Sequence, residues 1–141
     1  MGTLVGACLC GAVTISLSEP KPHIEVCQCT MCRRWGGAFF AGQDGGEVEI
    51  AGEAHVRTFQ SSAWAERAFC DRCGSHLWFR FLPTGYCSFC AGLFDASIDK
   101  PIEKEIFCDE AAAWTHLTGD HDRKTGAEII AEAEAAGFTF E

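Results

Sequence analysis

Hydrophobic and polar residues alternate along much of this chain, and its apolar runs are short. Val13-Thr14-Ile15-Ser16-Leu17 alternates with period two, and Pro20 and Pro22 close the segment. Gly37 to Ala41 is a short apolar run. Glu47-Val48-Glu49-Ile50 alternates before Ala51-Gly52-Glu53 turns the chain. His55 to Phe59, Trp64 to Phe69, Leu77 to Leu82, Tyr86 to Phe94 and Glu105 to Cys108 carry aromatic or β-branched residues at strand length. These segments, most of them separated by turn signals, predict an all-β domain. Gln43-Asp44-Gly45-Gly46 reads as a loop tip. Helix is predicted in two places. Met31 to Trp35 makes about one turn, and Gly126 to Ala136, rich in Ala, Glu and Ile, makes a short C-terminal helix stopped by Gly137. Neither linker nor repeat divides the chain, so residues 1–141 are expected to form one domain.

Charge narrows the range of partners. Eleven basic residues face 20 acidic ones, for a formal net charge of −9. The adjacent basic pairs, Arg33-Arg34 and Arg123-Lys124, do not make a patch. Nucleic acid is therefore not an expected partner. No apolar run reaches the roughly 18 residues of a membrane span, so no membrane contact is expected. Met1 to Ala7 lacks the charged start and apolar stretch of a signal peptide, which leads to an expected cytoplasmic location. In a reducing cytosol, ten cysteines in 141 residues read as metal ligands or catalysts before disulfides.

The cysteines sort by spacing. Cys70-Asp71-Arg72-Cys73-Gly74 has the C-x-x-C-G form of a zinc knuckle, in which two thiolates reach one ion from a tight turn. Cys8-Leu9-Cys10-Gly11 is its natural complement. Cys8, Cys10, Cys70 and Cys73 are read together as one structural zinc site; the competing reading is buried or redox cysteines. Cys27-Gln28-Cys29-Thr30-Met31-Cys32 places three thiolates in one short loop. Three ligands leave a fourth tetrahedral position free, as in a catalytic zinc. Two alternatives stay open: closure by Cys90, Cys108 or His23, and a site without metal. Cys87 and Cys90 point to opposite faces of an extended strand and read as half-buried cysteines, as does Cys108.

The run Cys8-x-Cys10-Gly11-Ala12-Val13, Cys27-x-Cys29-x-x-Cys32-Arg33-Arg34-x-Gly36-Gly37-Ala38, Arg67-x-Phe69-Cys70-x-x-Cys73-Gly74-Ser75 and Ala91-Gly92-Leu93-Phe94-Asp95 closely resembles the glutathione-dependent formaldehyde-activating enzyme (GFA) family. Centromere protein V shares that domain. The resemblance runs from about Val5 to Trp114. It implies antiparallel sheets pinned by zinc, a fold called a β-tent. It also implies a structural zinc on Cys8, Cys10, Cys70 and Cys73 and an open zinc on Cys27, Cys29 and Cys32. The activity implied is that of a carbon–sulfur lyase joining glutathione and formaldehyde as S-hydroxymethylglutathione. Many family members carry a His just before the segment written here as Ile106-Phe107; this chain has Glu105.

Other residues offer weaker chemistry. Arg33 and Arg34 follow the three-cysteine loop and are candidates for orienting an anionic substrate, or a solvated pair that offsets thiolate charge. His76 reads as structural, and His121, within Asp120-His121-Asp122, as part of a solvated loop. Phe39, Phe40, Trp64, Trp78 and Phe79 are core by default, with a pocket beside the second zinc as the other reading. No nucleophile elbow, phosphate loop or dinucleotide fingerprint is present. Three functional classes remain. One is a zinc-dependent carbon–sulfur lyase or synthase using a thiol such as glutathione and a small aldehyde, its chain single or a homodimer. The others are a non-catalytic zinc-stabilised interaction module and a thiol-based sensor.

Overall fold

The computed structural model describes residues 2–140. A three-stranded antiparallel sheet joins β1 (Leu4–Ala7), β2 (Thr14–Leu17) and β5 (Val48–Ala51) in the order β1-β2-β5. The larger sheet contains β3 (Ile24–Cys27), β4 (Phe40–Gln43), β6 (Val56–Ser62), β7 (Ala65–Cys70), β8 (His76–Phe81), β9 (Tyr86–Cys90), β10 (Ile102–Ile106) and β11 (Asp122–Lys124). Its order is β11-β10-β3-β4-β9-β8-β7-β6. The fold is mostly β, with helices α1 (Thr30–Gly36) and α2 (Gly126–Ala135).

The alternation in β2 shows how the sheets meet. Val13, Ile15 and Leu17 are buried and face Ala68, Leu77, Trp78 and Phe89 of the larger sheet, with Phe94 filling the centre. A one-residue slip of β2 would turn that apolar set to solvent, so its register is strongly specified. Gly6 of β1 lies against Phe94: a Cβ there would come within 2.6 Å of the Phe94 ring. β6 to β9 form an antiparallel meander, and β3, β4 and β9 continue it.

The structure departs from the sequence expectations at several points. β10 pairs parallel to β3, and β11 parallel to β10, so one flank of the sheet is not antiparallel. β1, β3 and β11 were not foreseen, being short and weakly patterned. His55 belongs to a 3-10 turn ahead of β6. The segment after Cys90 bends into 3-10 turns instead of continuing as strand. Cys108 likewise starts a 3-10 turn after Phe107, whose φ is +56°. Gln43 is not at a loop tip: it is fully buried at the end of β4. Its amide donates to the Lys21 and Asp44 carbonyls and accepts from Ser97 and Lys100.

Both helices have local causes. The Cys29 side chain caps α1 by accepting from Cys32 N–H at 3.4 Å, and Gly37 closes it at φ +97°. Thr125 and Glu128 make a reciprocal capping box at the start of α2. Among the described residues, no helix is long and apolar enough to cross a membrane.

Candidate functional site

Two turns build the first cysteine cluster. Cys8 and Cys10 lie between β1 and β2, where Gly11, at φ +80°, donates its N–H to the Cys8 carbonyl at 3.0 Å. Cys70 ends β7, and Gly74, at φ +77°, donates to the Cys70 carbonyl at 2.8 Å. Ser75 ties the two turns: its Oγ accepts from Leu9 N–H at 3.0 Å and lies 3.2 Å from the Cys73 sulfur. The four sulfurs fall within 4.8 Å of one another, with Cys8–Cys10 at 3.7 Å and Cys10–Cys70 at 3.8 Å. A tetrahedral ion with bonds of about 2.3 Å to sulfur needs edges of about 3.8 Å, so the cluster fits a thiolate-bound zinc. Val13 N–H donates to the Cys8 sulfur at 3.3 Å. The Ser75 hydroxyl and N–H lower the Cys73 thiol to about 5.

The second cluster comes from one stretch of chain. Cys27 ends β3, Cys29 caps α1, and Cys32 is buried one turn later. Their sulfurs lie within 4.8 Å of one another, an arrangement able to hold a metal ion. Among the described residues no fourth His, Cys, Asp or Glu joins them; Cys90 and Cys108 stand outside, and His23 groups with Glu25 and Glu103. Hydrogen bonds from Cys27, then Cys32, pull the Cys29 thiol down to about 2. Hydrogen bonding with Cys29 and Cys32, then burial, pushes the Cys27 thiol far up. The thiolate form is thus favoured at Cys29 alone, and three adjacent sulfurs offer a donor set that suits a soft divalent cation.

Arg67 of β7, quoted from the sequence only as part of the family-like run and given no role there, is the cation at this cluster. It is only 4% exposed, and its guanidinium donates to the Cys32 sulfur at 3.5 and 3.6 Å. The rings of Trp35 and Phe79 hold it, at 5.0 and 5.3 Å from the guanidinium carbon. Its sequence signal was its place in that run, three residues before Cys70. Arg33 and Arg34 do not line the cavity described next; Arg34 is exposed on α1. His76 stacks on Trp35 at 4.3 Å, and burial, then the Arg67 charge, holds its pKa below the ordinary value.

Cys27, Cys29 and Cys32 open on a cavity of about 530 Å³. Phe40, Trp64 and Phe79 line it, whereas Phe39 does not, and Trp78 packs in the core. Its far wall was not foreseen: Ile129, Ile130 and Ala133 of α2, then Phe138 and Phe140. Behind the three-cysteine loop, Glu105 is buried. It accepts from Gln28 and pairs with Arg123 and with His121, whose side chain is 3% exposed. His121 is therefore not in a solvated loop. It sits on the approach to β11, whose parallel pairing with β10 carries it to Glu105.

Two β-sheets that gather seven cysteines into a four-thiol and a three-thiol cluster, the second facing a cavity, define a small β protein equipped to bind metal. Residues 3–110 match the family described as glutathione-dependent formaldehyde-activating enzyme, and the chain belongs to that family. An uncharacterized lyase of Schizosaccharomyces pombe is 32% identical over 77 residues, 54% of this chain and 56% of the relative. A Halomonas elongata protein, provisionally named a glutathione-dependent formaldehyde-activating enzyme, is 34% identical over 85 residues, 53% of this chain and 54% of the relative. The matches thus span about half of each curated relative. A crystal structure of a Rhodobacter sphaeroides protein shares the fold, with a TM-score of 0.55 at 21% identity over 70% of this chain and 99% of that one.

Proposed function

We propose that this chain is a zinc-dependent carbon–sulfur lyase or synthase that joins a thiol to a small aldehyde, with glutathione and formaldehyde as the pair that the family's description names. The observation that carries this reading is the three-thiol cluster, which opens on a ligand-sized cavity and has no fourth protein donor among the described residues. Cys27, Cys29 and Cys32 would hold the reactive zinc, and Cys8, Cys10, Cys70 and Cys73 a structural one. Zinc at the first of these sites supplies a Lewis acid and favours the thiolate form of a thiol. Arg67 holds the Cys32 sulfur in place and offsets the thiolate charge. The aromatic walls exclude water. In the reaction the thiol sulfur bonds to the carbonyl carbon. The carbonyl π pair moves to oxygen, which takes up the proton that the thiol gave up. The net acidic chain supports a small-molecule partner over nucleic acid or an anionic membrane surface.

Cobalt substitution tests the reading. Added thiol, either glutathione or a small neutral thiol, should change the visible spectrum of the three-thiol site as sulfur replaces oxygen in the fourth position, and Cys29→Ala should abolish the change. A thiol-insensitive spectrum would replace the enzyme reading with that of a zinc-stabilised module.

A further inference from the structure

The cavity beside the three-thiol cluster is poorly matched to either reactant of the family's description. Its walls are mainly side chains of Val, Ile, Met, Phe and Trp. The one cation on its lining, Arg67, is already engaged with the Cys32 sulfur and held by two aromatic rings. Arg33 and Arg34 do not reach the lining, whereas Glu25 and Glu110 do. The carboxylates of a glutathione-like thiol therefore find no free counter-ion inside, and formaldehyde has no group to fill a space of about 530 Å³.

The outer wall adds to the mismatch. It comes from residues after 110, beyond the family match. Thr125 caps α2, Ile129 and Ile130 face the cavity, and Gly137 turns the chain back at φ +97°. Phe138 then meets Phe81 edge-on at 5.1 Å, and Phe140 meets Trp64 edge-on at 5.2 Å. Two phenyl rings after α2 thus join the lining of the cavity on which the cysteines open.

We propose that the cavity walled by Trp64, Phe81, Phe138 and Phe140 binds an aromatic or branched-aliphatic group attached directly at the reacting carbon–sulfur bond. The substrate is then an apolar aldehyde or an apolar thiol. This rests on the carbon–sulfur reading above for the reaction, and on the cavity alone for the binding. The reaction balances: R–SH adds across R′–CHO to give R–S–CH(OH)–R′, with one S–C bond formed and the thiol proton ending on the former carbonyl oxygen.

The experiment titrates the full zinc-loaded chain with benzyl mercaptan, benzaldehyde, glutathione and formaldehyde by calorimetry, and follows adduct formation by NMR. One benzyl probe should bind at least about tenfold tighter than its polar or small counterpart, since burying a phenyl ring is worth that or more. The two arms decide whether thiol or aldehyde carries the ring. Phe138→Ala with Phe140→Ala should remove most of that preference. Phe140→Ala alone, close to the chain's end, serves if the double variant does not fold. Equal or weaker binding of both benzyl probes overturns the proposal, as does a preference unmoved by either variant. Binding that depends on Phe138 and Phe140 but yields no adduct supports the cavity assignment and removes the lyase reading beneath it.

Discussion

The two cysteine clusters use the same atoms under different constraints. The four-thiol cluster joins two turns that are sixty residues apart, Ser75 and two glycine turns fix its geometry, and its cysteines do not line the three-thiol cavity. The three-thiol cluster draws on six consecutive residues, carries a buried arginine and faces an apolar cavity. An ion in the first would cross-link the sheets, because Cys8 follows β1 and Cys70 ends β7. An ion in the second would cross-link only β3 to the start of α1, which contributes little to the tertiary fold. Long loops closed by a cross-link constrain the unfolded chain more than short ones. Stability should therefore depend on the first cluster, and ligand exchange on the second.

Removing one thiol from each is the most direct way to break this contrast. Cys70→Ser should lower the melting temperature by about 10 °C or more and lose one equivalent of zinc, since structural zinc contributes folding energy directly. Cys29→Ala should lose the other equivalent, under a milder chelator, with a shift of only a few degrees. Equal shifts in calorimetry would mean that both sites hold the fold.

Arg67 sharpens the contrast, because the three-thiol cluster alone has a buried cation. Arg67→Met should lower zinc affinity at that cluster or the turnover rate by about 10- to 100-fold, as loss of a partner to a metal ligand commonly does. Arg67→Lys should recover less than half of the loss on a logarithmic scale, because an ammonium lacks the planar fork that donates twice to Cys32. Metal titration and steady-state rates check this; an inert Arg67→Met would assign Arg67 to packing.

Thr125→Ala should cost about 1 kcal/mol in denaturant unfolding by removing the α2 cap. Because α2 walls only the three-thiol cavity, it should leave the zinc affinity of the four-thiol cluster unchanged. The smallest effect concerns His76, which begins β8 three residues after Cys73 and stacks on Trp35 in α1. Its pKa is held below the usual 6.5 by burial and then by the Arg67 charge. The unfolded chain therefore takes the proton first. Stability should fall as pH drops through about 6.5 and level off once the folded His76 titrates. His76→Phe keeps a ring on Trp35 and should reduce that slope in pH-dependent melting.

The sequence showed the two cysteine clusters and most of the meander, because both rest on local rules. A C-x-x-C-G turn places two sulfurs together wherever it occurs, β2 alternates clearly enough to orient the strand, and β7 to β9 carry aromatic residues at strand length. Where the pattern failed, the cause was the choice of partner. Period two says which face a residue takes, not which strand lies beside it. Glu105 read as a departure from the pattern of the family that the sequence resembles. In the fold it is met by His121 and Arg123 through the parallel β10–β11 pairing.

By itself, then, the order of residues determined the ligand chemistry: seven thiols at two spacings, a strand-rich chain and a capped C-terminal helix. Tertiary structure alone decided what surrounds those thiols. It brought Arg67 to Cys32 while leaving Arg33 and Arg34 off the cavity, although these are the closer neighbours in sequence. It also carried Phe138 and Phe140 across to Phe81 and Trp64. Spacing sets what one turn can bind. Charge balance and the walls of a cavity are sums over strands and helices distant in sequence, and no local pattern records which of them will meet.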